Sequence, residues 1–468
     1  MNAKQLGLIG GAAIFLAMLL IGPPTSMATP AWHVAALTIL MAIWWMTEAL
    51  PLTATALLPF LALPLMGVMD AKAVAKEYYS DILFLILGGA FLALAIERVG
   101  LHRRAALAIL KRAGSSAGGL LFAFMIATAL LSMLISNTST TLIMLPIALA
   151  VLAAGGVREG ETDGMAGALV MGIAFAASIG GLGTLVGSPT NAIAAGLIEK
   201  QLGIDISFLT WMAYGLPIVL VAVPICAAIL MRVQHVGRHS FDAGAARTAI
   251  GQPGAWATPE KRLLPLILFV ITCWLAQPWV EPYLPKGAIT DGSIAVLGGL
   301  LLFIIPDGSG RPLLLWKEAD RAPWGVIMMF GGGLALAAGI SASGLDDWLG
   351  EALRPLAGVH PLIIAAAVVA LVILITEFAS NVATASGVMP VVVGLIVATG
   401  ADPWLLAMSA SIAASWGFMM PSGTGPNALA WASGHIAMPR MVKAGALLDL
   451  AGVPIIVGLV WASASFMG

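Results

Sequence analysis

Four asparagines lie in long apolar stretches of this sequence that contain almost no charged residues. Asn137 and Asn381 each follow a serine, whereas Asn191 and Asn427 each close a run that contains glycine and proline. An amide without hydrogen-bond partners is costly in hydrocarbon. Side-chain and carbonyl oxygens suit small hard cations, and N–H groups at helix starts suit anions. The four asparagines therefore favour a site for cations or anions over a purely structural role.

The polar residues belong to an internal repeat. Ser136-Asn137 recurs 244 residues later as Ser380-Asn381. The same spacing relates further positions: Gly88-Gly89 with Gly332-Gly333, Gly100-Leu101 with Gly344-Leu345, Ser132 with Thr376, and Pro146 with Pro390. A repeat with polar residues at membrane depth is typical of secondary transporters.

The composition fixes the class of protein. Hydrophobic residues make up 60% of the 468 residues and charged residues 10%, and the mean hydropathy is +1.00. These values exclude a soluble globular protein and predict an all-α polytopic membrane protein. The net charge of −1 gives no basic face for nucleic acid. Cys226 and Cys273 lie in apolar runs and are expected to be core residues.

Apolar stretches of about 17 to 25 residues predict the membrane spans. The first of them follows Lys4 and is interpreted as a transmembrane helix rather than a cleaved signal peptide. Eleven crossings are predicted, at 6–22, 32–49, 52–68, 82–98, 166–198, 207–231, 263–282, 288–306, 324–341, 403–433 and 442–466.

Two further stretches, 117–156 and 361–401, have polar residues at their centres and are predicted to be re-entrant hairpins. Each is followed by a span that contains helix breakers, Gly187–Asn191 within 166–198 and Pro421–Asn427 within 403–433. A broken helix offers N–H groups to anions and C=O groups to cations. Two hairpin tips and two broken helices therefore predict one central anion site flanked by two cation sites.

The distribution of charge predicts the orientation. Most lysines and arginines fall in loops on one side of the predicted spans, which is the cytoplasmic side by the positive-inside rule. The amino terminus is then cytoplasmic, the carboxyl terminus is outside, and the two hairpins enter from opposite sides, so that the repeats are inverted. The predicted division is a first helix and outer loop (1–31), the first repeat (32–240), a cytoplasmic loop (241–262) and the second repeat (263–468).

The predicted spans contain few ionisable residues, namely Glu48, Glu97, Glu377, His435 and Asp449. Most of these lie near the ends of spans. Glu377 is the exception, because it precedes Asn381 near the second hairpin tip. It could ligate a cation, carry a proton or brace the hairpin through backbone N–H groups. Bracing is favoured, because Met133 occupies the matching position of the first repeat.

These motifs resemble those of the divalent anion/sodium symporter family. The resemblance rests on Ser136-Asn137-Thr138 with Leu145-Pro146, on Thr376–Asn381 with Met389-Pro390, and on the two breaker runs. It covers nearly the whole chain. It implies sodium-driven import of C4-dicarboxylates such as succinate, malate and fumarate across the cell (inner) membrane. It further implies a homodimer in which each protomer has a scaffold domain and a transport domain that moves like an elevator.

The resemblance also implies the site residues. One sodium site would use Ser132, Ser136, Asn137 and Gly187, and the other would use Thr376, Ala379, Asn381 and Gly423. The substrate would lie near Asn137, Thr138, Ser188, Asn381, Val382, Thr424 and Gly425. No lysine, arginine or histidine occupies these positions, which favours sodium coupling over exchange.

Several alternatives stay open at this point. Val382 replaces the threonine common in the family's second tip, and Thr190 and Gly425 depart from its usual breaker runs, so citrate, sulfate or other dicarboxylates are possible substrates. A sodium-independent exchanger, an antiporter that uses Glu377 and an anion channel are further candidates. An intramembrane enzyme is not expected, because the spans contain no Ser-His, paired Asp or His-Glu-x-x-His arrangement.

Overall fold

A computed structural model describes residues 3–114 and 116–467. Residues 1, 2, 115 and 468, which include both ends of the predicted domain division, lie outside this part. The first half contains α1 (Ala3–Ile21), α2 (Thr29–Thr47), α3 (Leu52–Thr55), α4 (Leu58–Leu65), α5 (Ala71–Glu77), α6 (Asp81–Val99), α7 (Leu101–Leu110), α8 (Ala117–Ser132), α9 (Asn137–Ala154), α10 (Met165–Gly181), α11 (Pro189–Leu202), α12 (Phe208–Val233), a 3-10 turn (Val236–Arg238) and α13 (Ala243–Thr248).

The second half begins with α14, which starts inside the segment predicted to be a cytoplasmic loop. The second half contains α14 (Thr258–Val280), a 3-10 turn (Glu281–Tyr283), α15 (Asp291–Ile304), α16 (Trp316–Ala319), α17 (Trp324–Ser343), α18 (Leu345–Leu353), a 3-10 turn (Arg354–Gly358), α19 (Pro361–Phe378), α20 (Asn381–Thr399), a π-helical turn (Trp404–Met408), α21 (Ser409–Ala413), α22 (Gly425–Ala432) and α23 (Met438–Met467). Within the described residues no β-strand forms, in agreement with the predicted all-α class.

The internal repeat is visible in the helices. α6 to α9 match α17 to α20, and in each half a left-handed glycine, Gly100 (φ 81°) or Gly344 (φ 73°), separates the first two helices. After the hairpins the spacing between matched residues falls from 244 to 236, because the connection that follows α20 is shorter than the one that follows α9. The repeat therefore extends through the broken helices at a changed spacing.

Both predicted hairpins form as pairs of helices. α8 and α9 are joined by a first tip at 133–136, and α19 and α20 by a second tip at 379–380. Both predicted broken helices are also interrupted. The first breaker loop spans 182–188, between α10 and α11, and the second spans 414–424, between α21 and α22. The second interruption begins earlier than Pro421, where the breaker run was predicted to start.

Ten helices in the described part of the chain are long and apolar enough to cross a membrane, and three of them are the hairpin arms α9, α19 and α20. The predicted span 52–68 is divided into α3 and α4, and the predicted span 288–306 is reduced to the 14 residues of α15. The polytopic membrane architecture is confirmed. The number of eleven crossings combines long helices with these shorter ones and stays a prediction.

Polar contacts at the helix ends group the loops as the charge pattern predicts. At one end, ion pairs join loops that were assigned to the cytoplasm: Arg98 with Asp307 (2.5 Å), Arg104 with Glu260 (2.8 Å) and Arg440 with Asp163 (3.0 Å). At the other end, contacts join loops that were assigned to the outside: Lys200 with Glu77 (2.6 Å) and Trp348 Nε1 with Ser26 Oγ (3.3 Å). The hydroxyl of Ser309 and the guanidinium of Arg98 hold the pKa of Asp307 well below its usual range.

The two repeats are interlocked. α15 of the second half packs along α6, and α2 to α5 of the first half pack around α17. The broken helices also cross over, since α11 contacts α20 and α22 contacts α9. This exchange packs one hairpin arm of each repeat against the broken helix of the other.

Candidate functional site

Four helices start at the tips and breaker loops, and a hydroxyl caps each of them. Ser136 and Ser188 cap α9 and α11, and Ser380 and Thr424 cap the matching α20 and α22. Such a side chain satisfies one of the N–H groups left open at a helix start. The remaining N–H groups and the positive end of the helix dipole favour an anion. Two of the four helices belong to each repeat. They pack across the repeats, α22 on α9 and α11 on α20.

In the first repeat, the hairpin tip lies against the first breaker loop. The Ser132 hydroxyl lies 2.6 Å from Asn137 Oδ1 and 2.7 Å from the Ala177 carbonyl oxygen. A Cβ placed on Gly187 would be 2.6 Å from the Gly181 carbonyl oxygen and 3.0 Å from that of Ser132. A cradle of oxygen atoms that only a glycine leaves open fits the predicted first sodium site.

The second repeat contains the same arrangement. The Thr376 hydroxyl lies 2.9 Å from Asn381 Oδ1 and 2.7 Å from the Ala414 carbonyl oxygen. A Cβ placed on Gly423 would be 3.4 Å from the Met420 carbonyl oxygen and 3.8 Å from that of Thr376. The second cradle is therefore similar in composition to the first but roomier beside its glycine.

The two remaining predicted sodium ligands differ from each other. Ser136 is exposed, and its Oγ accepts a hydrogen bond from the Ser139 backbone N–H and lies 2.9 Å from the Ser139 hydroxyl. Its side chain thus serves first as a helix cap. Ala379 is buried and extended at the end of α19, so only its backbone can offer a ligand.

The repeats meet directly at two predicted substrate residues. A Cβ placed on Gly425 would be 2.5 Å from Thr138 Oγ1, so the start of α22 lies against the start of α9. Asn137, Asn381 and Val382 are half-buried near the same helix starts. The valine offers no hydroxyl to a carboxylate at this position.

A cavity of about 340 Å³ adjoins the first repeat. Ser136, Gly187 and Ser188 line it, together with α6 and the segment 321–323. It also reaches Glu97 and Arg321, near the end of the molecule that was assigned to the cytoplasm. The predicted residues of the second repeat do not line this cavity. In this structure the first tip and the first breaker loop therefore lie beside a cavity.

Glu377 braces the second breaker loop, as favoured from the sequence. Its side chain is fully buried. The carboxylate accepts hydrogen bonds from the backbone N–H groups of Phe418, Met419 (2.9 Å) and Met420 (3.1 Å). These hydrogen bonds tie three successive N–H groups of the second breaker loop to the end of α19.

The placement of Asp449 differs from the expectation that most ionisable residues lie near span ends. Asp449 is buried within α23, beside Glu377. The sequence shows only that it lies in a helix. Which face of that helix packs against the second hairpin depends on tertiary structure.

Sequence reasoning missed three groups that shape the site. The Thr184 hydroxyl donates to the Met133 carbonyl oxygen and so ties the first breaker loop to the first tip. The carbonyl oxygens of Ala177 and Ala414 lie beside the hydroxyls that approach Asn137 and Asn381. Backbone groups of alanine carry no side-chain signal in a sequence, although Thr184, in a run of glycines, could have been noted.

Comparisons with known proteins show the family of this chain. The family model described as the sodium:sulfate symporter transmembrane region matches residues 2–467. A sodium-dependent dicarboxylate transporter of Staphylococcus saprophyticus is 38% identical over 477 residues, which cover 98% of this chain and 91% of the relative. Its Staphylococcus aureus (strain USA300) counterpart is 39% identical over 476 residues, with the same coverage.

A solved structure is similar in fold. The YdaH transporter of Alcanivorax borkumensis aligns with a TM-score of 0.56 at 16% identity, over 92% of this chain and 98% of the other. At this identity the likeness concerns the fold alone.

Proposed function

The chain belongs to the sodium:sulfate symporter family, and we propose that it is a sodium-coupled symporter that imports C4-dicarboxylates such as succinate, malate and fumarate. The family is one of transmembrane symporters, which confirms that the chain is a transporter and not an enzyme. The proposed substrate class is supported by the staphylococcal relatives, whose names describe sodium-dependent dicarboxylate transport.

One observation carries the proposal: two matched cradles of oxygen atoms lie at the breaks of two helices. Each cradle combines an asparagine amide, a hydroxyl and backbone carbonyls, around Gly187 in one repeat and Gly423 in the other. Carbonyl-lined helix breaks at the interface between repeats are the usual place for coupling ions in transporters of this architecture. Sodium, a small hard cation, suits such ligands.

The substrate is proposed to lie between the cradles. Asn137, Thr138 and Ser188 would meet the dicarboxylate from the first repeat, and Asn381 and Thr424 from the second. Negative charge would be balanced by helix starts, by amide and hydroxyl donors and by two co-bound sodium ions. Transport with more than two sodium ions per dianion would move net charge and let the membrane potential assist uptake.

The motion and the assembly are also proposals. The two hairpins and broken helices would move as a rigid transport domain against a scaffold, in an elevator-like step within each protomer of a homodimer. The cavity beside Ser136 and Gly187 reaches toward the end assigned to the cytoplasm, which supports an inward-facing state for this structure. The amino terminus would then lie in the cytoplasm and the carboxyl terminus outside.

The burial of Glu377 bears on the antiporter alternative. Its carboxylate accepts hydrogen bonds from three successive backbone N–H groups of the second breaker loop, and the buried side chain of Asp449 lies beside it. The backbone hydrogen bonds support a brace, and loss of proton-coupled flux in Glu377→Gln is the result that would support the antiporter instead. A sodium-independent exchanger and transport of citrate or sulfate are treated as outcomes of the test below.

The test is uptake of radiolabelled succinate into proteoliposomes, with an inward sodium gradient or with choline in its place. Wild-type protein is expected to need sodium, and Asn137→Ala and Asn381→Ala are expected to abolish uptake. Thr128→Val is the matched control, because Thr128 is buried and, among the residues that the structure describes, its hydroxyl bonds only to the Phe124 carbonyl oxygen of its own helix. Uptake that ignores sodium and responds to internal succinate would make the protein an exchanger.

A further inference from the structure

Two of the four apolar-stretch asparagines are not ligands in the proposed sites. Asn191 and Asn427 occupy matched positions just after the breaker loops, in α11 and α22, and both are fully buried. Neither contacts the cavity beside the first repeat. Their side chains are nevertheless held by specific hydrogen bonds in both repeats, which indicates a shared role.

Each amide holds backbone carbonyl groups of the breaker loop that precedes it or of that loop's edge. Asn191 Nδ2 donates to the carbonyl oxygens of Gly181 (2.7 Å) and Thr184 (2.8 Å). Asn427 Nδ2 donates to those of Gly417 (3.5 Å) and Met420 (3.1 Å). In both repeats the bonds run to residues ten and seven positions earlier. Gly181 is the last residue of α10, whereas Gly417 and Met420 both lie within the second breaker loop.

One carbonyl in each pair also lines the sodium cradle. The Gly181 oxygen is the group that a Cβ on Gly187 would approach to 2.6 Å, and the Met420 oxygen is the group that a Cβ on Gly423 would approach to 3.4 Å. The asparagines therefore hold the carbonyl groups whose positions set the size of the cradles.

We propose that Asn191 and Asn427 are positioning residues that set the carbonyl geometry, and so the affinity and size selectivity, of the two sodium sites, each in its own repeat. The inference rests on the proposed function. Only the NH₂ end of the amide can serve, because both partners are carbonyl oxygens and accept hydrogen bonds. The Oδ1 atoms of both residues are buried without a hydrogen-bond partner among the described residues, an unfavourable state for a residue kept only for packing.

The two repeats differ in a way that orders the expected effects. The bonds from Asn191 are short, whereas those from Asn427 are longer and weaker. The first cradle is also the tighter one. Removing the amide is thus expected to disturb ion binding more in the first repeat than in the second.

The experiment measures three quantities for Asn191→Ala, Asn191→Asp and Asn427→Ala in proteoliposomes. They are the sodium concentration for half-maximal succinate uptake, the ratio of uptake in lithium to uptake in sodium, and the KM for succinate at saturating sodium. Asn191→Ala is expected to raise the half-maximal sodium concentration about tenfold, as for a loss of about 1.4 kcal/mol, and to shift the lithium ratio. Asn191→Asp is expected to behave similarly, because it removes both donors.

Asn427→Ala should move the same quantities in the same direction by less, and Thr128→Val should leave them unchanged. A merely structural role would lower the amount of folded protein without changing the ion ratio. Sodium-dependent thermal stabilisation of purified protein in detergent gives a second reading of the same shift without transport. Wild-type sodium affinity and lithium ratio in both alanine variants would overturn the inference, whereas a wild-type protein without any sodium effect would overturn the proposed function itself.

Discussion

Substitution of the two cradle glycines by alanine should have unequal effects. A Cβ on Gly187 would be 2.6 Å from one backbone oxygen and 3.0 Å from another. Neither atom can move without shifting a helix end. A Cβ on Gly423 would meet its nearest neighbour at 3.4 Å, an ordinary van der Waals distance. Gly187→Ala therefore fills the first cradle, and Gly423→Ala leaves the second one open.

The size of the difference follows from the overlap. Forcing an extra carbon into a packed site typically costs about 1–3 kcal/mol. If this cost falls on the ion-bound state, the half-maximal sodium concentration rises by roughly 5-fold to 150-fold for Gly187→Ala. For Gly423→Ala a change within about twofold is expected, because the new methyl group makes only ordinary contacts.

The assay is a sodium titration of succinate uptake in proteoliposomes, with both variants at matched amounts of reconstituted protein. Fluorescence-detected size-exclusion chromatography would confirm that each variant is folded. Equal sodium affinities in the two variants, or a larger loss in Gly423→Ala, would refute the assignment of the cradles.

Three further outcomes are expected. Glu377→Ala removes the acceptor of the N–H groups of 418–420. The loss is about 1–3 kcal/mol for the buried Phe418 N–H and less for the two half-buried ones, so the melting temperature should fall well below that of Glu377→Gln, which keeps an acceptor oxygen. Gly425→Ala places a methyl group against Thr138 and should reduce the succinate uptake rate more than it changes the half-maximal sodium concentration. Burial raises the pKa of Glu199 to about 7. The folded protein therefore binds this proton more tightly than the unfolded chain, and the resulting stabilisation at low pH is lost as the pH rises through 7. Glu199→Gln should flatten the decline of melting temperature between pH 5 and pH 8.

Much of the fold follows from local sequence. Hairpins were predicted because polar tips interrupt uncharged runs, and the structure places helix starts at Asn137 and Asn381 with serine caps before them. The constant spacing of 244 matched the helices from α6 to α9 with those from α17 to α20. Patterns that a side chain or a breaker encodes within a few residues were therefore predictable.

Other features depend on tertiary packing. The second breaker loop begins at residue 414, before any proline, because Glu377 accepts the N–H groups that follow and so replaces helical hydrogen bonds. The predicted span 52–68 is interrupted at Ala56-Leu57, where Tyr78 donates its hydroxyl to the Ala56 carbonyl oxygen (2.7 Å). Pro59, at the start of α4, is a local signal for the second interruption, whereas the partners Glu377 and Tyr78 are distant in the sequence and could not be predicted.

The site residues were predictable only where a polar side chain marks them. Asparagine, serine and threonine positions could be identified, because polar side chains are rare in apolar runs. The carbonyl oxygens of Gly181 and Met420 could not, since every residue has a carbonyl and only the folded chain shows which of them turn toward a cradle. Resemblance to a known family supplied Gly187 and Gly423, and the structure supplies the reason that the first must be glycine.

The most direct test of the account is accumulation of succinate by wild-type proteoliposomes that contain no internal dicarboxylate. An inward sodium gradient should drive succinate above its external concentration, and equal sodium on both sides without a membrane potential should allow only equilibration. Accumulation that is the same in choline as in sodium, or that requires internal dicarboxylate, would contradict sodium-coupled symport.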